Sequence, residues 1–313
     1  MPSSRFEEIA DQVRNWGRWG EEDERGTLNF IDDAALRRGL ASIISGESFQ
    51  LGLGLSEAEG VQAGFIEGRD NPRREMINVN VPLSPDPDWI CSNEDSLTMG
   101  IQASTHWDAI AHVSYRGKLY NGFPASSVTE AGATRCGIDK VGSLVTRAVL
   151  LDVARALGLD FLEPGYAISP SDLDAALALA QCHVEPGDLV LVRSGQMHYL
   201  HLDDEQPKDL VAYTWPTPGL SIETAKWFHD HHVAAVGIDS LVLEVFPGER
   251  EEDYLPVHLL HLAEMGMLQG QNFLLDPLAR ACSADGRYSM FIDATPLKLT
   301  GGLGSPVNPV VLR

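Results

Sequence analysis

The second half of the chain alternates between short apolar runs and amphipathic segments. The apolar runs predict buried strands at residues 147–153, 189–193 and 234–238. Apolar residues at helical spacing predict helices at residues 171–183, 221–231 and 256–265, with Ser171 and Ser221 as candidate N-caps. Strands that alternate with helices in this order form a parallel sheet covered by helices. No other feature of the sequence limits the fold as strongly.

The first half of the chain carries more strand and loop signals. A helix is predicted at residues 31–45, and the alternation of residues 78–81 is typical of a half-exposed strand. Glycines and prolines interrupt the chain around residues 51–54 and 82–87. The fold class that we expect is α/β, in which a parallel sheet is combined with a second sheet.

The charge of the chain argues against two classes of partner. Its 45 acidic residues outnumber 23 basic ones and give a formal net charge of -22, with no cluster of basic residues. Nucleic acids and anionic membranes attract clusters of lysine and arginine, so neither is an expected partner. The four cysteines form no C-x-x-C pair, and the sequence has neither a leader-like N-terminus nor an apolar stretch of membrane-spanning length. We therefore expect a cytoplasmic protein with free thiols that acts on a small molecule.

Residues 104–112 carry the most distinctive chemistry in the sequence. His106, Asp108 and His112 lie close together among side chains that are otherwise small or apolar. In an extended segment His106 and Asp108 point to the same face, because strand side chains alternate, and together they can hold one divalent ion. His112 can then act beside the ion as an acid or base. A structural cluster of mutually satisfied polar groups explains the same residues, so both interpretations stay open.

Residues 102–112 resemble the signature of the metal-dependent cyclase family, which includes bacterial kynurenine formamidases and isatin hydrolases. That signature runs roughly H-x-G-T-H-x-D-x-P-x-H. The resemblance extends over essentially the whole chain, through segments at residues 16–20, 25–29, 118–122, 186–188, 237–239, 258–260, 266–271 and 304–309. The first two of these segments are like the N-terminal region of the longer family members.

This resemblance implies a fold, an assembly and a set of residue roles. The fold would be one three-layer β/β/α domain over residues 1–313, with a central parallel sheet, a second antiparallel sheet and an N-terminal extension over roughly residues 1–45. The assembly would be a homodimer or homotetramer. The resemblance makes His106 and Asp108 metal ligands and His112 the catalytic acid/base. It places His258 in the site too, as a catalytic histidine or a second-site ligand.

Two positions depart from the formamidase pattern. Gln102 stands where the first signature histidine would be, and Gln271 stands where those enzymes have a carboxylate that bridges two metals. Without that charge a pair of zinc ions would bind weakly, whereas a neutral amide oxygen suits one harder ion. We therefore expect one divalent ion, with Mn²⁺ favoured over Zn²⁺. Its ligands would be His106, Asp108 and Gln271, with Gln102 as a further candidate and water completing the shell.

The expected function is hydrolysis of a carbon–nitrogen bond in a cyclic or aryl amide. A bound ion polarises a carbonyl and acidifies water, and His112 can carry a proton to the leaving group. Opening of a lactone would use the same chemistry. Two alternatives stay open. One is a cyclase or dehydratase of a secondary metabolite that works without net hydrolysis. The other is a metal-free binding protein on a decayed enzyme scaffold, which the amides at positions 102 and 271 suggest.

Several other residues have both a functional and a structural interpretation. Trp107 and Trp19 can line an aromatic substrate pocket or pack in the core. Asp239 follows a predicted strand at its carboxyl end, where ligands bind in parallel sheets, but it can equally cap the next turn. His261 is expected on a helix surface or behind the ligands. For the remaining histidines the structural interpretation is favoured, with a helix end for His229, His231 and His232 and a solvated loop for His198 and His201.

Overall fold

The computed structural model describes residues 2–202 and 206–313, in which the strands are numbered in chain order. They are β1 Ser48–Gln50, β2 Arg73–Pro82, β3 Cys91–Thr98, β4 His106–Asp108, β5 Val128–Thr129, β6 Gly132–Ala133, β7 Val145–Asp152, β8 Ala167–Ile168, β9 Leu189–Arg193, β10 Gly219–Leu220, β11 Ala235–Ile238, β12 Leu268–Gln271, β13 Ser289–Asp293, β14 Gly304–Pro306 and β15 Val310–Leu312. Within this part of the chain, nine strands form one mixed sheet in the order β1-β15-β13-β7-β9-β11-β12-β4-β14. Small two-stranded sheets pair β10 with β8, β2 with β3, and β5 with β6. The expected α/β fold class is confirmed.

Strands β7, β9, β11 and β12 form the parallel centre of the large sheet. Alternate side chains of β7 belong to two different apolar clusters, one on each face of the sheet. Burial on both faces explains why these strands read as continuous apolar runs in the sequence. The strand predicted at residues 189–193 coincides with β9, and the other two lie within one or two residues of β7 and β11. Antiparallel strands extend the same sheet at both ends.

The α-helices of the described residues are α1 Ser4–Val13, α2 Asp33–Ala41, α3 Val153–Ala156, α4 Pro170–Ala180, α5 Leu210–Thr214, α6 Thr224–Asp230, α7 Pro256–His258 and α8 Asp276–Asp285. The N-cap of α4 is Ser169 rather than the expected Ser171, and it forms a capping box with Asp172. Ser221 precedes α6 without capping it, because that helix begins only at Thr224. No helix in this part of the chain is long and apolar enough to cross a membrane.

The helix predicted at residues 256–265 forms in an unusual way. After the single turn of α7, the chain continues as a π-helix from Leu259 to Met265. π-Helical turns are rare and are frequently found at functional sites. The N-terminal segment packs against this π-helix, since the side chains of Asn15 and Trp16 donate hydrogen bonds to the carbonyl oxygens of Met265 and Ala263 at 3.1 and 2.7 Å.

Strand β4 contains the start of the chemical motif and lies between β12 and β14, antiparallel to both. In this register His106 pairs with Gln271 on β12, and Asp108 pairs with Gln269. His106 and Asp108 share one face of the sheet and Trp107 lies on the other, because side chains alternate along a strand. The sheet therefore fixes which residues of the motif can act together.

Strands β2 and β3 form an antiparallel hairpin that stands apart from the rest of the fold. Every residue of both strands is exposed apart from the half-buried Asn78 and Ser92. The alternating residues 78–81 do form a strand, as predicted. The expected half-exposed environment is wrong, however, because none of the other described residues covers either face.

Candidate active site

A cavity of about 610 Å³ opens beside β4 and the carboxyl end of β12. Five polar residues predicted for the site line this cavity: His106, Asp108, His112, His258 and Gln271. Most of the other lining residues are apolar, and the aromatic ones are Phe65, Trp215, Phe246 and Tyr254. A larger cleft of about 900 Å³ contains none of the five polar residues. The structure therefore brings the predicted chemistry together in the first cavity.

Asp108 lies at the centre of the polar cluster. Its Oδ1 is 3.4 Å from Nε2 of His106 and 3.7 Å from Nε2 of His112, and its Oδ2 is 3.7 Å from Nε2 of His258. Burial alone would raise the pKa of Asp108, but the three imidazoles hold it well below its usual range. Asp108 is therefore an anion at neutral pH.

The protonation of His106 follows from its hydrogen bond. Its Nδ1 lies 2.8 Å from the carbonyl oxygen of Ser104. A carbonyl oxygen can only accept, so Nδ1 carries a proton, and in the neutral ring Nε2 is the nitrogen whose lone pair points toward Asp108. A lone pair on nitrogen then faces a carboxylate oxygen, and this arrangement favours a cation between the two atoms.

Two glutamines complete the surroundings of Asp108. Nε2 of Gln271 donates to Oδ2 at 3.0 Å, and Nε2 of Gln269 lies 3.5 Å from the same oxygen. By contrast, Oδ1 of Asp108 and Oε1 of Gln271 are buried without any hydrogen-bond partner. Because buried polar atoms rarely stay unpaired, these oxygens and His106 fit one divalent ion. No three His, Cys, Asp or Glu side chains in residues 2–202 and 206–313 form a metal site unaided, so the amide and water would complete the shell.

Sequence reasoning missed Glu244, which holds His258 in place. A carboxylate oxygen of Glu244 is hydrogen-bonded to Nδ1 of His258, and the other accepts the backbone N–H groups of Val257 and His258 at 2.6 and 3.1 Å. Burial would lower the pKa of His258, but Glu244 and Asp108 together raise it above its usual value. The signal was present, because Glu244 is the lone charged residue in the apolar run 241–246.

His112 has the opposite electrostatic character. It ends a 3₁₀ turn that follows β4 and remains partly open to the cavity. Burial lowers the pKa of His112 and outweighs the opposing effect of Asp108. The two imidazoles on either side of Asp108 thus have pKa values shifted in opposite directions, a pattern typical of an acid/base pair.

Arg69 is a second residue that sequence reasoning missed. It is the only lysine or arginine among the described residues that line the cavity. Burial lowers the pKa of its guanidinium, and Asp108 opposes that effect. The guanidinium brings fixed donors suited to a carbonyl or carboxylate oxygen. No local pattern marks Arg69 in the sequence.

Gln102 and Trp107 lie outside the cavity, contrary to expectation. Nε2 of Gln102 lies 3.4 Å from the carbonyl oxygen of Leu303, and the residue does not line the cavity. Trp107 is fully buried on the opposite face of β4, where its indole N–H donates to Ala294 at 2.8 Å. Trp107 therefore belongs to the core, which corrects its predicted place in the substrate pocket. The role of Gln102 as a metal ligand stays a prediction.

Asp239 and Trp19, which were predicted to bind substrate, also lie outside the cavity. The carboxylate of Asp239 accepts hydrogen bonds from the backbone and hydroxyl of Ser194 and the backbone of Gly195, at 2.7 to 2.8 Å. Asp239 thus ties the end of β11 to the segment after β9. Trp19 packs edge-on against Phe30. Neither side chain lines the cavity.

The other histidines also lie outside the cavity. His261 is fully buried behind His258, and neither ring nitrogen has a hydrogen-bond partner. Burial and the nearby His258 lower the pKa of His261 to about 3, so its ring is neutral. Its expected position behind the ligands fits the structure, whereas a position on the helix surface does not. His229, His231 and His232 cluster at the end of α6 as expected.

Related proteins identify the family of this chain. The Cyclase family model matches residues 64–245. A crystal structure described as a novel cyclase is 32% identical in sequence, with a TM-score of 0.87, and the match covers 96% of this chain and 100% of that chain. The protein therefore belongs to the cyclase family. No curated protein gives a match.

Two more distant structures share the fold. Isatin hydrolase A from Ralstonia solanacearum is 20% identical over 89% of this chain and 95% of its own, with a TM-score of 0.61. A potential metal-dependent hydrolase with cyclase activity is 18% identical over 86% of this chain and 99% of its own, with a TM-score of 0.51. At these identities the likeness establishes the fold alone.

Proposed function

We propose that this protein is a metal-dependent hydrolase that cleaves a carbon–nitrogen bond in a cyclic or aryl amide. The observation that carries the proposal is the convergence of three imidazoles on one ionised and buried carboxylate, Asp108, at the end of an apolar cavity. Such clusters of perturbed titratable groups in a cavity are typical of active sites. The names of two structural relatives, an isatin hydrolase and a metal-dependent hydrolase, support the same reaction class.

His106 and Asp108 would hold one divalent ion, with Oε1 of Gln271 and water as further ligands. Mn²⁺ is favoured over Zn²⁺ because two of these three protein ligands are oxygens. When bound, the ion would polarise the scissile carbonyl and make water more acidic. The hydrogen bond from His106 to Ser104 orients Nε2 for this role.

His112 and His258 would divide the proton transfers. With its lowered pKa, His112 is neutral at pH 7 and takes a proton from the attacking water. With its raised pKa, His258 donates a proton to the leaving nitrogen as the carbon–nitrogen bond breaks. Return of a proton from His112 to His258 through solvent restores the starting state. Glu244 positions His258 and stabilises its charge.

The cavity favours a flat apolar substrate with one polar end. Phe65, Trp215, Phe246 and Tyr254 provide aromatic surface, and the volume of about 610 Å³ suits a small molecule. Arg69 would bind the anionic oxygen that develops at the carbonyl or the carboxylate of the product. A cyclic or aryl amide has the ring, the carbonyl and the leaving nitrogen that these residues can receive.

The test uses the whole protein, stripped of metal by a chelator and reloaded with Mn²⁺ or Zn²⁺. Substrates are aryl formamides, cyclic imides, isatins and lactones in water enriched with ¹⁸O. We expect turnover of an amide that requires the ion and places one ¹⁸O atom in the product. Turnover without ¹⁸O uptake would indicate a cyclase or dehydratase. Failure to bind metal, with no turnover of any substrate, would indicate a binding protein.

Replacing Glu244 with glutamine is expected to lower kcat by ~10–100-fold, because a partner that orients an active-site histidine is lost. The neutral amide also removes the charge that raises the pKa of His258. His258 must be protonated to donate, so activity falls on the alkaline side as His258 loses its proton. In the variant this alkaline limb should shift to lower pH. The measurement is the pH profile of kcat.

The matched control is Glu264→Gln, because Glu264 is also buried but pairs with Arg14 outside the cavity. In Glu264→Gln the alkaline limb of the pH profile should lie at the same pH as in the unaltered protein. An unshifted limb in Glu244→Gln would show that Glu244 has a structural role only.

Replacing Gln271 with glutamate is expected to raise the affinity for Zn²⁺ and to allow a second ion to bind. The new carboxylate would lie close to Asp108, whose Oδ2 is now 3.0 Å from the amide nitrogen. Without metal the two anions repel, so the free energy of unfolding in chelator should fall by ~1–3 kcal/mol. Calorimetric titration and denaturant unfolding measure the two effects.

Gln269→Glu provides the comparison, since Gln269 approaches the same oxygen at 3.5 Å but does not line the cavity. The Gln269→Glu variant should have a lower free energy of unfolding and should bind no additional ion. Two ions per chain in the unaltered protein at saturation would contradict the mononuclear site.

A further inference from the structure

Residues 62–71 form a closed loop beside the active-site cavity. The side chain of Asn71 joins the two ends of the loop, because its Oδ1 accepts the backbone N–H of Gln62 at 2.9 Å and its Nδ2 donates to the carbonyl oxygen of Gln62 at 3.0 Å. Nε2 of Gln62 also donates to the carbonyl oxygen of Ala103 at 2.9 Å, which ties the loop to the segment before β4. Compact loops whose ends meet in this way are frequently functional.

Arg69 is the loop residue that brings a charge to the cavity. The three loop side chains that line the cavity are Phe65, Ile66 and Arg69. The Arg69 side chain is half-buried, yet its guanidinium makes no hydrogen bond and no ion pair among the residues that the structure describes. A half-buried charge without a partner is costly, and this chain has 45 acidic residues that could have supplied one. The arrangement fits a ligand that brings the opposite charge.

We propose that the amide substrate carries a carboxylate group and that Arg69 binds this group, an inference that rests on the proposed function. The planar guanidinium offers paired N–H donors that match the two oxygens of a carboxylate. The apolar walls of the cavity strengthen such a charged pair, because little water competes with it. The guanidinium has several donors, so Arg69 can bind the carboxylate and still face the oxygen that develops during the reaction.

The other charges of the site also favour an anionic group. Asp108 faces three imidazoles, and Glu244 is hydrogen-bonded to His258. One divalent ion would balance the negative charges of Asp108 and Glu244, so Arg69 and the protonated His258 would leave the cavity positively charged. Salt screens the acidic outer surface over ~8–10 Å, so an anion inside the cavity is attracted although the whole chain is strongly acidic.

The same charges disfavour an amino acid as the substrate. An ammonium group has only donors and needs acceptors, preferably a carboxylate. Among the described residues that line the cavity, Asp108 is the only carboxylate, and its oxygens face the imidazoles and the amides of Gln269 and Gln271. An ammonium group beside Arg69 would meet a like charge. We therefore expect a simple carboxylate rather than a zwitterion.

The first test measures binding without turnover, using three probes with one carbon skeleton. They are hydrocinnamate, its neutral methyl ketone benzylacetone, and phenylalanine, which adds an ammonium group to hydrocinnamate. Calorimetric titration of the full-length protein should show that hydrocinnamate binds ~10–100-fold more tightly than benzylacetone, as is typical of a hydrogen-bonded charge pair. Phenylalanine should bind no more tightly than the ketone.

Variants of Arg69 show whether this side chain causes the preference. Arg69→Gln should lower the affinity for hydrocinnamate to that for benzylacetone and leave the affinity for the ketone unchanged. Arg69→Lys should keep part of the preference, because lysine retains the charge but not the paired donors. The matched control is Arg73→Gln, since Arg73 is the next arginine in the chain, is exposed and does not line the cavity. Metal analysis should give the same metal content for all of these proteins.

Equal affinities of the unaltered protein for hydrocinnamate and benzylacetone would overturn the proposal. A preference for hydrocinnamate that survived in Arg69→Gln would also overturn it, because His258 or the bound ion would then receive the carboxylate. Tighter binding of phenylalanine than of hydrocinnamate would show that the cavity accepts an ammonium group, and the proposed substrate class would be wrong.

The second test separates this inference from the proposed function. It compares kcat/KM for ortho-, meta- and para-formamidobenzoate with kcat/KM for formanilide, which lacks the carboxylate. At least one of the acids should exceed formanilide by ~10–100-fold, and Arg69→Gln should remove the difference mainly by raising KM. Turnover of formanilide without any preferred acid would contradict the carboxylate inference alone. Binding of hydrocinnamate through Arg69, without turnover of any amide, would support the carboxylate site and contradict the proposed function.

Discussion

Replacement of His112 by alanine is expected to lower kcat by ~10²–10⁴-fold while leaving the metal content of the protein nearly unchanged. In the unaltered enzyme, activity should fall at acid pH as His112 becomes protonated and can no longer accept a proton. Because burial lowers the pKa of His112, this acid limb lies below the usual value of 6.5. The limb should be absent in the variant. Metal analysis and the pH profile of kcat/KM measure the two results.

His106→Ala is the comparison for this experiment. Nε2 of His106 lies 3.4 Å from Asp108 and would bind the ion, so loss of His106 should remove both the ion and the activity. If His112→Ala lost the ion as completely as His106→Ala, His112 would be a ligand. The mechanism would then need another base, and His258 would be the first candidate.

Replacement of Trp107 by alanine is expected to lower the free energy of unfolding by ~3–5 kcal/mol. The indole is fully buried, packs edge-on against Phe273 and donates a hydrogen bond to the carbonyl oxygen of Ala294. Its removal leaves a cavity and an unpaired carbonyl oxygen behind the strand that carries His106 and Asp108. Urea unfolding, followed by circular dichroism, measures the change.

Trp215→Ala separates packing from substrate contact. Trp215 lines the cavity and is 48% exposed, so its loss should change the free energy of unfolding by less than ~1 kcal/mol and raise KM instead. If Trp107→Ala kept its stability but lost affinity for substrate, Trp107 would be a substrate-contacting residue and its assignment to the core would be wrong.

The parallel centre of the sheet could be predicted from the sequence because its strands are buried on both faces. Continuous apolar runs at 147–153, 189–193 and 234–238 leave little choice of structure. The hairpin of β2 and β3 was predicted less well. Its alternating residues indicate a strand with one covered face, but alternation does not reveal whether a covering element exists in the same chain. The single-domain organisation and the identity of the metal stay predictions.

Within the site, residues that share a short segment were the easiest to place. His106 and Asp108 share a face because of the two-residue period of a strand, and the structure brings both to the cavity. Arg69 reaches the cavity and Glu244 reaches His258 from other segments, and only the folded chain brings these residues together. Glu244 could have been suspected as a lone charge in an apolar run.

The predicted site residues that lie outside the cavity do so for two physical reasons. Gln102 and Trp107 belong to the motif segment, but nearness in sequence says nothing about which face a side chain takes when the segment turns before β4. Asp239 lies at the carboxyl end of a parallel strand, as expected of a ligand-binding residue. Its oxygens are occupied by the Ser194 and Gly195 donors instead.

Both strands that pair with β4 lie far from it in the sequence, because β12 begins at Leu268 and β14 at Gly304. At ordinary rates of synthesis, roughly 10–40 s separate the emergence of the motif from that of its last partner strand. Contacts between such distant segments form late in folding, since closing long loops costs conformational entropy. The geometry of His106 and Asp108 therefore arises only as the sheet closes. An ion would enter a nearly finished protein through the cavity mouth, and it would report on completed folding rather than start it.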